Sequence, residues 1–182
     1  MDLYTAGSLD MKFILELYQQ AFPEVERKPF SVIERKAAMG FMEILAIKED
    51  RQRVGLAITA MEESMVLLDY FAIAEECRGQ GEGSEALMLL QALYSDKQFF
   101  LEIEEPDETA ENQEQRLRRK AFYLRNGMRE TRIRIKLFGV PMEILATDSS
   151  LTFEQCAKLY RALYGPMYQK VVELVEEKQQ RA

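Results

Sequence analysis

The run Asp69-Tyr70-Phe71-Ala72-Ile73-Ala74-Glu75-Glu76-Cys77-Arg78-Gly79-Gln80-Gly81-Glu82-Gly83-Ser84-Glu85-Ala86-Leu87 constrains the fold more than any other stretch. An apolar segment with strand character passes through a turn punctuated by Gly79, Gly81 and Gly83. It continues directly into a segment whose apolar residues Ala86, Leu87, Leu90, Leu93 and Tyr94 repeat at helical spacing. Glycine lets the backbone take φ > 0 and lets a ligand come close. Successive N–H groups at a helix N-terminus form an anion site, which suits a diphosphate. The plainer reading of the same glycines is a tight strand-to-helix turn with no ligand. A P-loop requires Gly-Lys-Ser/Thr, and Gly83-Ser84 lacks the lysine. A Rossmann fingerprint requires the spacing GxGxxG after the first strand of a parallel unit, and neither condition is met.

The surrounding pattern gives the architecture. Phe13, Ile14, Leu17, Tyr18 and Phe22 predict a first helix opening at Ser8 and ended by Pro23. A second, short helix is expected from Ser31 to Met39. Phe41 to Lys48, Arg53 to Met61 and Met65 to Ala74 read as three strands, separated by polar breaks short enough for hairpins. After the glycine turn and its helix, Gln98 to Glu104 reads as a strand. Arg116 to Arg125 reads as a helix closed by Asn126-Gly127. Arg132 to Phe138 and Met142 to Thr147 read as paired strands, and Thr152 to about Lys178 as helix with a break at Gly165-Pro166. The order predicts one α+β domain over residues 1–150, a mixed sheet with helices on both faces. Residues 151–182 are a helical extension packed on the same domain or on the second subunit of a homodimer.

Composition narrows the chemistry. With 182 residues, 47% hydrophobic and 30% charged, the chain is long enough for a core without staples. The net charge of -7 argues against nucleic acid as a partner. There is no histidine, which removes Ser-His-Asp and Cys-His nucleophiles and most zinc chemistry. Cys77 and Cys156 form no CxxC pair, so neither a metal site nor a disulfide framework is expected. No apolar run reaches the roughly 18 residues that span a bilayer, and no signal peptide is read at the start, so no membrane partner and a cytoplasmic location are expected.

The glycine turn resembles motif A of the GNAT acetyltransferases, Arg/Gln-x-x-Gly-x-Gly/Ala, through Arg78, Gly81 and Gly83. Ala121-Phe122-Tyr123-Leu124-Arg125-Asn126-Gly127-Met128 is similar to that family's motif B, a tyrosine four residues before a glycine and a hydrophobic residue. The resemblance covers roughly residues 3–147. Arg116, Arg119 and Glu82 stand where many relatives carry asparagine, alanine and an aliphatic residue. The resemblance implies a GNAT-like fold, with a central, mostly antiparallel twisted sheet. It also implies acetyl-CoA as co-substrate, without a metal. Phe71, Ala72 and Ile73 would lie along the pantetheine, and the turn Arg78, Gly79, Gln80, Gly81, Glu82, Gly83 and Ser84 would hold the pyrophosphate.

The reaction so implied moves an acetyl group to a primary amine of a small molecule or peptide by direct attack on the thioester. The leaving thiolate benefits from a proton donor, and Tyr123 is the candidate acid. The candidate bases are Asp69, Glu102 and Glu104. Asp69 shares a strand face with Phe71 and Ile73, and Glu102 shares one with Glu104. The plainer readings are a core tyrosine and carboxylates paired with lysine or arginine. The acidic run from Glu102 to Glu114 reads as a solvated face, or as a lure for an amine. Glu26-Arg27-Lys28-Pro29 falls where this fold caps its acceptor. The competing class is a non-catalytic acyl-CoA-binding module, which needs the turn but neither Tyr123 nor a base.

Overall fold

The computed structural model describes residues 1–177, and residues 178–182 of the expected C-terminal extension lie outside the described residues. Contacts divide the chain into two units. The first takes Met1–Met61 and Leu68–Leu93, the second Glu62–Leu67 and the chain from Tyr94 onward. Hydrogen bonding orders the eight strands β1-β2-β3-β4-β5-β7-β6-β8.

The first unit begins with β1, Asp2–Thr5, which pairs antiparallel with β2, Met42–Glu49. The sequence pattern gave no strand at β1. Its four residues carry no usable alternation, and the strand exists because the edge of β2 offers it partners. Helix α1 spans Met11–Ala21 and starts later than Ser8, because Asp10 stands before it. The Asp10 carboxylate is held by Arg53 at 2.7 Å, by the Tyr4 hydroxyl at 3.0 Å and by the Gly7 N–H at 2.9 Å. The Arg53 hydrogen bond, with the other two, keeps its pKa below the ordinary carboxylate range despite burial. Helix α2 spans Phe30–Ala38, close to expectation.

Strand β3, Gln52–Glu62, pairs antiparallel with β2 and is buried without interruption from Val54 to Ala60. A continuous apolar run of this kind belongs to a strand covered on both faces. Strand β4 spans Met65–Ile73, and helix α3, Glu82–Leu93, follows it. Gly55 on β3 has a packing role. A Cβ there would stand 2.6 Å from the carbonyl oxygen of Ala72 and 2.8 Å from Cδ1 of Ile73 on β4. Gly55→Val is therefore expected to lower stability by about 1–3 kcal/mol, since backbone must move to admit it. Chemical denaturation checks this, and an unchanged midpoint with an unchanged m-value would refute the close approach.

In the second unit, β5, Gln98–Glu104, pairs in parallel with the start of β4 over Met65↔Gln98 to Leu67↔Phe100. Parallel neighbours need a crossover, which α3 supplies. Helix α4 covers Gln113–Arg125, and β6, Arg129–Leu137, and β7, Val140–Ala146, form the expected hairpin. Strand β7 also pairs antiparallel with β5.

Helix α5, Phe153–Tyr164, opens with a capping box of Thr152 and Gln155. It ends at Gly165, whose φ is 53°. The expected helix to Lys178 stops there apart from one short turn, Tyr168–Val171. Val172–Glu177 is instead a strand, β8, antiparallel to β6. Val171, Val172, Leu174 and Val175 are mostly β-branched, and β6 offers an edge on which they pair. Within this unit α5 buries Cys156, Leu159, Tyr160 and Leu163, with Tyr160 edge-on to Phe100. Among the described residues no helix is long and apolar enough to cross a membrane.

Candidate active site

The glycine turn of the first unit is built as a strand end, a 3-10 turn at Glu75–Cys77, and the start of α3. Gly79 and Gly81 have φ of 92° and 108°, where side chains other than glycine are strained. A Cβ at either would meet no atom within 4 Å, so conformation and not crowding requires glycine there. Gly83 differs: it lies in the first turn of α3, outside the left-handed region. The first bonds of α3 run from the N–H groups of Ser84 and Glu85 to the carbonyl of Gly81, at 2.9 and 3.1 Å. The N–H groups just before them have no acceptor within the helix. Arg78 folds back, its Nε donating to the carbonyl of Ile73 at 2.9 Å. The Gln80 N–H donates to Oε2 of Glu82 at 3.2 Å. Beside the turn lies an open cavity of about 240 Å³, lined in part by Glu49, Asp50, Glu76, Cys77, Gln80 and Glu82. Burial, with Glu76 and Glu82 nearby, raises the Cys77 thiol.

Asp69, on β4, is held by Lys28. The ammonium donates to both carboxylate oxygens at 2.7 and 2.9 Å, and the Asp69 side chain is only 4% exposed. The loop carrying Lys28 is fixed at further points. The Tyr70 hydroxyl donates to the carbonyl of Glu26 at 3.0 Å and accepts from the Lys28 N–H at 3.0 Å. The Tyr18 hydroxyl donates to the carbonyl of Lys28 at 3.0 Å. Tyr70 packs edge-on against Tyr18 and Phe22, with ring centroids 4.8 and 4.9 Å apart. Burial raises the Tyr18 hydroxyl far above its ordinary value, so it acts only as a neutral donor. Asp69 is thus an anchor for the Glu24–Pro29 loop.

In the second unit the other candidates also have neighbours. Glu104 on β5 meets Arg116 at 2.9 Å and Arg119 at 3.9 Å. These are two of the positions where this chain departs from motif B. Glu102 interacts with the buried Tyr160 of α5, whose hydroxyl is raised by burial and by Glu102. The same carboxylate adds to the burial that raises the Cys156 thiol. Tyr123 lies in the last turn of α4, partly buried beside Phe122. Burial pushes its hydroxyl up to about 12, with Arg119 pulling the other way. It therefore remains a protonated donor across the neutral range, and its hydroxyl makes no hydrogen bond among the described residues. Gly127, with φ of 91°, closes the helix, as the Asn-Gly pair predicted.

Sequence reasoning missed Glu143 of β7. It is 1% exposed and is held by Lys120 of α4 at 2.8 Å and by Arg134 of β6 at 3.1 Å. Lys120 also pairs with Glu130, and Arg134 with Glu105 at 2.8 Å. No residue of helix α4 is fully buried, and these ion pairs tie it to β6 and β7. The signal for Glu143 was its charge inside the apolar run Met142 to Thr147.

No family model matches the sequence, and no curated protein does. Solved structures match over most of the chain. A GNAT-family protein from Bacteroides thetaiotaomicron superposes with a TM-score of 0.73 at 21% identity, over 91% of this chain and 99% of that one. The ribosomal-protein-S18-alanine N-acetyltransferase of Escherichia coli gives 0.58 at 17% identity, over 83% and 95%. A GNAT-family acetyltransferase from Elizabethkingia anophelis, with acetyl-CoA bound, gives 0.56 at 17% identity, over 81% and 95%. The chain has the GNAT fold: a mixed, mostly antiparallel sheet with its helices.

Proposed function

We propose that this protein is an acetyl-CoA-dependent N-acetyltransferase acting on a primary amine of a small molecule or peptide. The observation that carries the reading is the turn after β4. It combines the left-handed Gly79 and Gly81 with helix N–H groups, and one of its N–H donors already donates to a carboxylate. A turn that holds a carboxylate oxygen has the polarity to hold a phosphate oxygen. In this reading the residues Arg78 to Ser84 bind the diphosphate, and Phe71, Ala72 and Ile73 align the pantetheine. The parallel ladder of β4 ends at Leu67, which supports a ligand role for the later residues of the strand. The structural neighbour that carries acetyl-CoA, and another that acts on an alanine of a ribosomal protein, agree with the co-substrate and the kind of acceptor.

Acetyl-CoA supplies the acetyl group as a thioester. The amine forms a C–N bond at the carbonyl carbon as the C–S bond breaks, and Tyr123 donates a proton to the departing sulfur. The carboxylate we assign to the amine's proton is Glu102, which also interacts with the buried Tyr160. Tyr123→Phe is expected to keep acetyl-CoA affinity and to slow turnover by roughly 100-fold. Calorimetry and steady-state kinetics separate the two quantities, and equal turnover in the variant would remove Tyr123 from the chemistry. The commitment of Asp69 and Glu104 to ion pairs also favours a second reading, a non-catalytic acyl-CoA-binding module. Acceptor-stimulated release of free CoA across a panel of amines decides between them. Binding of acetyl-CoA with no acceptor ever acylated would establish the module.

A further inference from the structure

The contact between the Gln80 N–H and Glu82 places a carboxylate of the chain itself at the turn proposed for the diphosphate. Arg78 is the one basic residue between Glu75 and Glu85, and its Nε is engaged by the carbonyl of Ile73. Asp50, Glu76 and Glu82 line the cavity beside the turn, with Glu49. The Met1 ammonium meets Glu49 at 3.3 Å and Glu85 at 3.2 Å, and no ion pair is made by Asp50, Glu76 or Glu82 among the described residues. Motif A, which the turn resembles, is usually aliphatic at position 82, so the carboxylate is a departure from that pattern.

We infer that Glu82 is an internal competitor that sets the affinity of the turn for its coenzyme. Its carboxylate must leave the Gln80 N–H before a diphosphate oxygen takes that donor, and it then stands as a like charge beside the bound anion. The inference rests on the assignment of the diphosphate to this turn. It turns a residue of the binding segment into the one that weakens binding. A solvated like charge a few ångströms from the diphosphate is expected to weaken binding roughly fivefold or more. The repulsion is screened by salt.

The test is calorimetric titration of the wild type, Glu82→Gln and Glu82→Lys with acetyl-CoA and with S-acetylpantetheine, which lacks the diphosphate. Both variants are expected to bind acetyl-CoA at least about fivefold more tightly than wild type at low ionic strength, with Glu82→Lys the tighter. The advantage is expected to shrink as sodium chloride approaches 1 M. S-acetylpantetheine is expected to bind all three proteins alike. Equal or weaker acetyl-CoA binding by Glu82→Gln and Glu82→Lys, with native circular dichroism, overturns the role of Glu82. An equal gain for S-acetylpantetheine overturns it too, because the effect then does not pass through the diphosphate. Absence of acetyl-CoA binding in all three proteins overturns the functional reading itself.

Discussion

Gly81→Val is expected to abolish acetyl-CoA binding and to leave the chain folded. Gly81 has φ of 108°, and a β-branched residue held there is strained by about 1–3 kcal/mol. The strain is local. A Cβ at Gly81 meets no atom within 4 Å, so the unliganded protein has no clash to relieve by unfolding. The turn relaxes instead, rotating the peptide groups that the diphosphate requires. A side chain in that open space also blocks the approach of a phosphate to backbone N–H groups. Loss of at least about 100-fold in affinity, or roughly 2.7 kcal/mol, is the expected calorimetric result, with a modest drop in melting temperature. Gly83 supplies the contrast. It lies in the first turn of α3, so Gly83→Ala is expected to gain helix stability, by less than the roughly 1 kcal/mol of a helix interior. Any affinity lost by that variant would report crowding of the diphosphate and not backbone strain. Wild-type affinity in Gly81→Val would show that the diphosphate sits elsewhere, and the proposed function would lose its main support.

The two glycines show how far the sequence reaches. A strand, a turn and a helix were legible between Asp69 and Leu87 because the apolar period changes there. The spacing of three glycines could not say which are left-handed, since a helix start accepts one of them as readily as a turn does. Strands β2 to β7 and helices α1 to α5 were legible from apolar patterning and from the polar, proline and glycine breaks between them. Strands β1 and β8 were not. Asp2–Thr5 and Val172–Glu177 are strands because β2 and β6 present edges to them, which is a property of the assembled sheet. The fate of Asp69 was beyond reach for a different reason. It lies on β4 as expected, but the lysine that holds it lies 41 residues away, on a loop whose path depends on Tyr18 and Tyr70. Residues that can carry chemistry and residues that close a buried ion pair are the same types, and only the partner tells them apart.

Glu143 carries the same lesson into energetics, and Lys120→Met is the variant with the largest expected effect on stability. Helix α4 is Gln-Glu-Gln-Arg-Leu-Arg-Arg-Lys-Ala-Phe-Tyr-Leu-Arg, and none of its residues is fully buried, with Phe122 and Tyr123 partly so. Its attachment within the second unit runs through Arg116 to Glu104 and through Lys120 to Glu130 and Glu143. Removing the Lys120 ammonium leaves the Glu143 carboxylate, 1% exposed, with Arg134 alone. Breaking a buried pair from one side costs about 3–5 kcal/mol when the remaining charge is left uncompensated; Arg134 still compensates Glu143 in part, so a loss below that range is expected. The double variant Lys120→Met, Glu143→Leu is expected to recover much of that loss, as no buried carboxylate then needs a cation. The pH dependence has two sides. Burial opposes the charge on Lys120, but Glu130 and Glu143 outweigh it and raise its pKa, so its contribution is full below the unfolded value of 10.5 and is lost as pH climbs through the folded one. Lys120 lowers Glu130, whose contribution is full above 4.5 and is lost as pH falls through its folded value. The wild type is therefore expected to be most stable between those limits, and Lys120→Met to flatten the profile at both ends. Denaturant unfolding across pH measures this. A Lys120→Met variant with wild-type stability, or a double variant no better than the single, would show that α4 is held by something other than its charges.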